Sequence, residues 1–282
     1  MIESGMKKII RIVVFLVTLA AGFYVVRAGD LYFRQERYVF KPEKTVKQTP
    51  GDRGLKYEEL TLRSSDGVNI SAWYIPAENS KGTILFCHGN ARNMALDLDG
   101  YLMFHGFGYS ILTLDYRGYG KSEGRPSEEG VYLDAQAAWD WLVQSKHEMA
   151  ARIVICGRSL GSAIAANLAA KNPPAALILE AAFTSLPEVG QERYPYFPVK
   201  LLSRYRFDTL SQLPRVHCPV LIVHSHDDEL ISIRHGRRLY EAVEGRKEFV
   251  EIGGPHKGNY KPTLGHYQEG VKHFLESLTG SF

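Results

Sequence analysis

From Tyr57 to Pro76 the chain reads YEELTLRSSDGVNISAWYIP, with apolar and polar residues alternating on both sides of Asp66 and Gly67. A period of two sends successive side chains to opposite faces of a strand, and Asp-Gly suits a tight turn, so this stretch predicts an antiparallel hairpin. Beyond it the pattern changes to short apolar runs: TILFC (83–87), SILTL (110–114), RIVIC (152–156), ALILE (176–180), VLIVH (220–224) and EFVEI (248–252). Near-continuous runs without alternation predict strands buried on both faces, as in a parallel sheet. Between them the spacing is helical. SEEGVYLDAQAAWDWLVQ (127–144) brings Val131, Ala135, Ala138, Trp139 and Leu142 to one face, behind Ser127 as an N-cap and an acidic first turn. ARNMALDLDGYLMFHG (91–106) and IRHGRRLYEAV (233–243) repeat that pattern more weakly. A hairpin followed by repeated strand–helix units predicts a mostly parallel, doubly wound α/β sheet with right-handed crossovers. Ligands of such sheets gather beyond the carboxyl ends of the strands.

The amino terminus follows neither period. Lys7, Lys8 and Arg11 precede an uncharged stretch, Ile12 to Val26, which Arg27 closes. Those fifteen residues would span about 22 Å of helix, short of the ~30 Å hydrocarbon core unless Ile9 and Ile10 join while Arg11 snorkels. The best small-x-small cleavage site, Thr18-Leu19-Ala20, is poor, so residues 1–29 are expected to be an uncleaved, single-pass membrane anchor. Basic residues on both flanks leave its orientation open. Residues 30–53 are charged and lack periodicity, which reads as a linker, and 54–282 reads as one α/β domain.

Composition narrows the partners. The chain has 282 residues, 45% of them hydrophobic, enough for one large core. A net charge of +3, scattered along the chain, carries no phosphate-backbone footprint, so no nucleic acid is expected. Cys87, Cys156 and Cys218 are too few and too scattered for a disulfide framework or a CxxC zinc site, and the first two end apolar runs as small hydrophobes would.

The chemistry concentrates at strand ends. Ser159 directly follows RIVIC, between Gly157 and Gly161, where the sequence passes into the alanine-rich helix that begins at Leu160. G-x-S-x-G between strand and helix is the pattern of a nucleophile elbow, in which glycines make room for a sharply turned serine. A serine hydroxyl needs a base. Of the ten histidines, His256 in EIGGPHKGNY is best placed, after the last strand, whereas His266 and His273 belong to the surface of the final helix. The imidazole needs a carboxylate in turn, and HSHDD offers Asp228 first and Asp227 second, with Glu180 at the end of ALILE as a third candidate. For the oxyanion, the N–H of Leu160 at the helix start pairs with that of Asn90 in CHGNA, where Gly89 allows close approach. His88 reads as a brace rather than a base. Arg117 and Arg158 flank the site and read as packing and salt links.

These motifs, taken together, resemble a known family. LFCHGNA, LDYRGYGKSEGRPSEEGVYLDAQAAWDWL, GRSLGSA, HSHDDELISIRHG and GGPHKGN are similar to those of the membrane-anchored α/β-hydrolases of the abhydrolase-13 and abhydrolase-17 groups and their bacterial, prolyl-oligopeptidase-like relatives, from about residue 50 onward. The resemblance implies the α/β-hydrolase fold with a short lid, a Ser-His-Asp triad in which Asp228 is the matching aspartate, and hydrolysis of ester or thioester bonds in small acyl esters or acylated substrates. Two positions depart from the family pattern, Ser225 where glycine is usual and Pro255 just before the histidine, and both bear on loop geometry.

Two motifs point elsewhere and fail. GYGKSEG contains Gly-Lys-Ser, but a phosphate loop needs glycine where Asp115 stands, and Pro126 follows with no helix opening directly. HSHDD has metal-ligating residue types, yet His224 lies in an apolar strand and Asp228 is wanted by the triad, so neither metal nor cofactor is expected. ERYPYFPVKLLSRYRF (192–207), crowded with aromatics, falls where this fold inserts its lid and suits core or domain packing as well as substrate contact; as a lid it is short, which favours an open, shallow site.

Overall fold

The structure is a computed structural model and describes residues 2–256 and 263–278. Its centre is an eight-stranded sheet of β1 (Glu58–Arg63), β2 (Asn69–Ile75), β3 (Thr83–Cys87), β4 (Ser110–Leu114), β5 (Ile153–Arg158), β6 (Ala176–Glu180), β7 (Val220–Ser225) and β8 (Lys247–Ile252). The spatial order is β1-β2-β4-β3-β5-β6-β7-β8. β1 with β2 and β2 with β4 are antiparallel, and every other pairing is parallel. From β3 the chain steps to β4 on one side and then returns to β5 on the other. The carboxyl ends of β3 and β5 therefore flank the point at which the winding reverses, where open α/β sheets place their ligands.

Each apolar run supplies both faces. Leu85, Leu112, Ile155, Leu177 and Ile222 pack in one core with Val131, Ala135, Ile164 and Leu239. Ile84, Phe86, Ile111, Val154, Ile178 and Leu221 pack in the other with Leu98, Phe104, Val271 and Phe274. The helices among the described residues are α1 (Ile2–Phe33), α2 (Gln35–Val39), α3 (Leu98–Gly106), α4 (Glu128–Asp140), α5 (Leu160–Lys171), α6 (Leu186–Arg193), α7 (Val199–Leu202), α8 (Ile233–Ala242) and α9 (Leu264–Leu278). Helices α4, α5 and α8 cover the first face, and α3 and α9 the second. Ser127 caps α4 as the spacing predicts, its hydroxyl accepting the Gly130 N–H at 3.1 Å.

Helix α1 runs 32 residues, about 48 Å, and is long and apolar enough to cross a membrane by length and composition. It passes the expected end at residue 29. The segment read as a linker is also more ordered than its charge suggests. Val39 and Phe40 join the core, and Lys41–Pro42 forms a short parallel bridge with Ala91–Arg92. Two adjacent apolar residues in a charged stretch have no period, so this docking leaves no sequence signature. Between β6 and β7 the chain carries α6 and α7, the short insertion expected of a lid.

Candidate active site

Ser159 stands between β5 and α5 with φ +53° and ψ −118°, a conformation that side-chain-bearing residues rarely adopt. The turn is held from several sides. The Ser159 N–H donates to the Glu180 carbonyl at 2.9 Å, and its carbonyl accepts the Ser162 hydroxyl at 2.6 Å. Crowding explains the flanking glycines: a Cβ on Gly157 would lie 2.2 Å from the Gly161 carbonyl oxygen, and one on Gly161 would lie 2.0 Å from the Cys87 carbonyl oxygen. Helix α5 thus presses against β3 at the switch point.

The Ser159 Oγ lies 3.1 Å from His256 Nε2, and His256 Nδ1 lies 2.7 Å from Asp228 Oδ2. Asp228 is fully buried at its side chain, and its other oxygen accepts the N–H groups of Leu230 and Ile231 at 2.9 and 2.8 Å. Burial, the largest influence, pushes this carboxyl upward, but the bond and positive charge from His256 together with those two N–H groups outweigh it and hold the pKa below the ordinary value. A carboxylate at Nδ1 keeps the proton on that nitrogen and leaves the Nε2 lone pair facing the serine hydroxyl. The arrangement can therefore take a proton from Ser159 and stabilise the imidazolium that results.

The loop carrying His256 is braced by residues whose roles the sequence patterns leave unmarked. The His256 N–H donates to Glu229 Oε2 at 2.9 Å, and its carbonyl accepts from Arg158, whose other arm pairs with the buried Asp97 at 2.9 Å. Ser225, one of the two departures from the family pattern, is buried; its hydroxyl donates to the Gly254 carbonyl at 2.5 Å and accepts the Asp227 N–H at 3.1 Å. Instead of loosening the loop, this serine ties β7 to the turn that carries the histidine. Pro255 is exposed, next to Gly254 at φ +107°. Residues 257–259, the end of the GGPHKGN motif, lie outside the described residues.

The other two carboxylates have different partners. Asp227 is exposed and accepts the Gly254 N–H at 3.0 Å. Glu180 is buried beneath the site, accepts the Tyr267 hydroxyl at 2.5 Å, and is pushed up to about 6, chiefly by burial. Among the three candidates, Asp228 is the one beside His256.

On the far side of Ser159 runs the loop from β3. A Cβ on Gly89 would lie 3.6 Å from Ser159 Cβ, so the two segments touch. Asn90 is pinned there: its carbonyl accepts from the Lys41 N–H and the Tyr119 hydroxyl, and its side-chain amide donates to the Val39 carbonyl at 2.8 Å. Leu160 is the first residue of α5, and first-turn N–H groups have no partner within their helix. His88 is fully buried, packs its ring on Tyr116 at 4.4 Å and contacts the Gly89 carbonyl through Nδ1. Burial lowers its pKa to about 4, which keeps it neutral and makes it a spacer under the loop. Arg117 is taken up by Asp134 and Asp66. His266 and His273 are exposed on α9. His224 donates from Nε2 to the Ile231 carbonyl at 2.9 Å, a structural use of a residue type that suggested metal.

The family model described as serine aminopeptidase, S33, matches residues 78–206. The α/β hydrolase domain-containing protein WAV2 of Arabidopsis thaliana is 36% identical over 257 residues, covering 82% of this chain and 83% of that one. The lysophosphatidylserine lipase ABHD12 of Danio rerio is 30% identical over 267 residues, covering 75% and 68%. The uncharacterised membrane protein YNL320W of Saccharomyces cerevisiae is 34% identical over 228 residues, covering 77% and 80%. Among solved structures, the Pyrococcus furiosus esterase Pf2001 superimposes with a TM-score of 0.71 over 85% of this chain and 99% of that one, at 21% identity, a likeness in fold.

Proposed function

Because the chain belongs to the α/β-hydrolase family, with a lipase among its relatives and an esterase among the structures that share its fold, we infer that it is a serine hydrolase of carboxylic esters or thioesters. The observation that carries this reading is the unbroken series of contacts from the Ser159 hydroxyl through His256 to the buried Asp228. In the proposed cycle His256 Nε2 takes the serine proton as Oγ bonds to the acyl carbon, and the N–H groups of Leu160 and Asn90 receive the negative charge that moves to the carbonyl oxygen. Collapse breaks the bond to the alcohol or thiol, which leaves with the proton from His256. Water, deprotonated by the same nitrogen, then releases the acid and restores the serine. The lipase among the relatives and the apolar α1 favour amphiphilic acyl substrates met at a membrane, and the yeast relative's description as a membrane protein supports anchoring by residues 1–29.

A fluorophosphonate probe tests the assignment. Labelling of the parent and none of Ser159→Ala is expected; labelling that survives in folded Ser159→Ala sinks it. The family description as an aminopeptidase supports a second reading, amide hydrolysis on the same three residues. Matched p-nitrophenyl esters and p-nitroanilides separate the two, and faster cleavage of the anilide would favour the peptidase.

A further inference from the structure

The insertion between β6 and β7 is tied to the amino-terminal helix α1 at one point and to the start of α2 at another. Nearer the middle of α1, the ring of Tyr24 lies flat on Phe197, centroids 4.8 Å apart and planes 10° from parallel, and its hydroxyl donates to the Tyr196 carbonyl at 3.0 Å. Further along the chain, the buried Gln35 side chain donates to the Leu202 carbonyl and accepts the Arg204 N–H, both at 2.7 Å. Between these fastenings, two large side chains face outward, uncovered by any of the described residues: Tyr196 is 86% exposed and Leu201 83%.

Where this tip sits along α1 decides what covers it. Tyr24 belongs to the uncharged stretch, three residues before Arg27. Arg27, Asp30 and Arg34 form the ion-paired set at which the helix turns polar. At ~1.5 Å per residue the Phe197 ring is stacked about 4.5 Å to the apolar side of Arg27. Phe23, Val25 and Val26, at the same level on α1, are about as exposed as any side chain on the helix. A tip at that depth lies where tyrosines and other aromatics collect at the edge of a bilayer. Charge agrees: from 186 to 206 the exposed cations Arg193, Lys200, Arg204 and Arg206 outnumber Glu188, which pairs with Lys200, and Glu192, as suits anionic headgroups.

We propose that the insertion around Tyr194–Leu202 is a second membrane contact, its tip seated in the headgroup region of the bilayer beside α1. The insertion leaves the sheet at the carboxyl end of β6, the edge that also carries Ser159 and Asp228. Seating its tip in lipid turns that edge toward the membrane, so an amphiphile can pass from the bilayer to the serine without crossing bulk water. This inference rests on the reading of α1 as a membrane anchor.

The test uses the full chain reconstituted in phosphatidylcholine–phosphatidylglycerol vesicles, with lipids brominated near the headgroup end of the acyl chains. Two tryptophan variants are compared with the parent, whose own tryptophans supply the background: Val17→Trp in α1 and Tyr196→Trp at the tip. Quenching and a blue shift at both positions are expected. Quenching at 17 but none at 196 overturns the second contact while leaving the anchor intact. Absence of quenching at 17 overturns the anchor, and the proposal with it. A blue-shifted but unquenched tryptophan at 196 places protein over the tip and also overturns the proposal.

Discussion

Replacing Asp228 with asparagine changes almost no volume but forces a choice on the side chain. One carboxylate oxygen accepts two backbone N–H groups at 2.9 and 2.8 Å, and the other accepts His256 Nδ1 at 2.7 Å. If the asparagine turns its amide nitrogen toward the backbone, it confronts two donors with a donor, leaving two N–H groups unpaired at about 1–3 kcal/mol each. The other orientation keeps those bonds and presents the amide nitrogen to His256. Neutral imidazole then answers by moving its proton from Nδ1 to Nε2, which costs little, so this orientation wins. The nitrogen facing Ser159 at 3.1 Å now carries a hydrogen and cannot take another. The same substitution in another serine triad lowers kcat by about 10⁴, or roughly 5 kcal/mol at 1.36 kcal/mol per decade. We expect Asp228→Asn to lose activity on that order toward a soluble p-nitrophenyl ester, with KM and melting temperature close to those of the parent. Activity within tenfold of the parent in a folded variant, or a larger loss in Asp227→Asn, refutes the reasoning.

Three other perturbations follow from the same contacts. Gly161→Ala drives a methyl group to 2.0 Å from the Cys87 carbonyl oxygen, so β3 and the loop that carries Asn90 must move; we expect about 1–3 kcal/mol lost in denaturant unfolding and a fall of roughly 10² in kcat/KM, and a neutral result would show that the elbow has slack. Ser225→Gly, which restores the residue usual in the family, removes the bonds to Gly254 and Asp227 and is expected to cost about 1–2 kcal/mol, read as a lowered urea midpoint at unchanged slope. Burial raises Glu180 from 4.5 to about 6, so the folded state holds this proton more tightly than the unfolded chain does, and stability from this group is present below about 4.5 and lost as pH rises through 6. The shift corresponds to about 2 kcal/mol. Glu180→Gln cannot titrate, so its stability relative to the parent is expected to improve by that amount from pH 4 to pH 7; a constant difference across that range contradicts the raised pKa.

The strands were legible because burial on both faces demands apolar residues in succession: the six runs coincide with β3 to β8 to within two residues at either end. The triad candidates were legible for a related reason. A parallel sheet delivers the residue after each strand to one edge, so Ser159, Asp228 and His256, far apart in sequence, needed only their strands to be identified. What stayed hidden is what depends on contact rather than period. Glu229 holds the histidine loop through one hydrogen bond that nothing in its neighbourhood marks, while Ser225 and Arg158 stood out in the sequence but not for the bonds they make to Gly254 and His256.

The stretch after α1 shows the same limit with a functional consequence. Its charge suggested a tether free to swing, and a tether would leave the hydrolase domain without a preferred face toward the membrane. The packing removes that freedom. Phe40 sets its ring edge-on to Tyr205 and Phe207, Gln35 bonds the insertion on both sides, and the Lys41–Pro42 bridge runs directly into the loop that positions Asn90. A helix joined to the domain by this many short connections transmits its own orientation. Under the proposed anchoring by α1, the segment that would orient the domain is therefore also the one that pins a proposed oxyanion donor, through the Val39 and Lys41 backbone, so a cut or a flexible insertion near residue 40 is expected to disturb catalysis and membrane pose together.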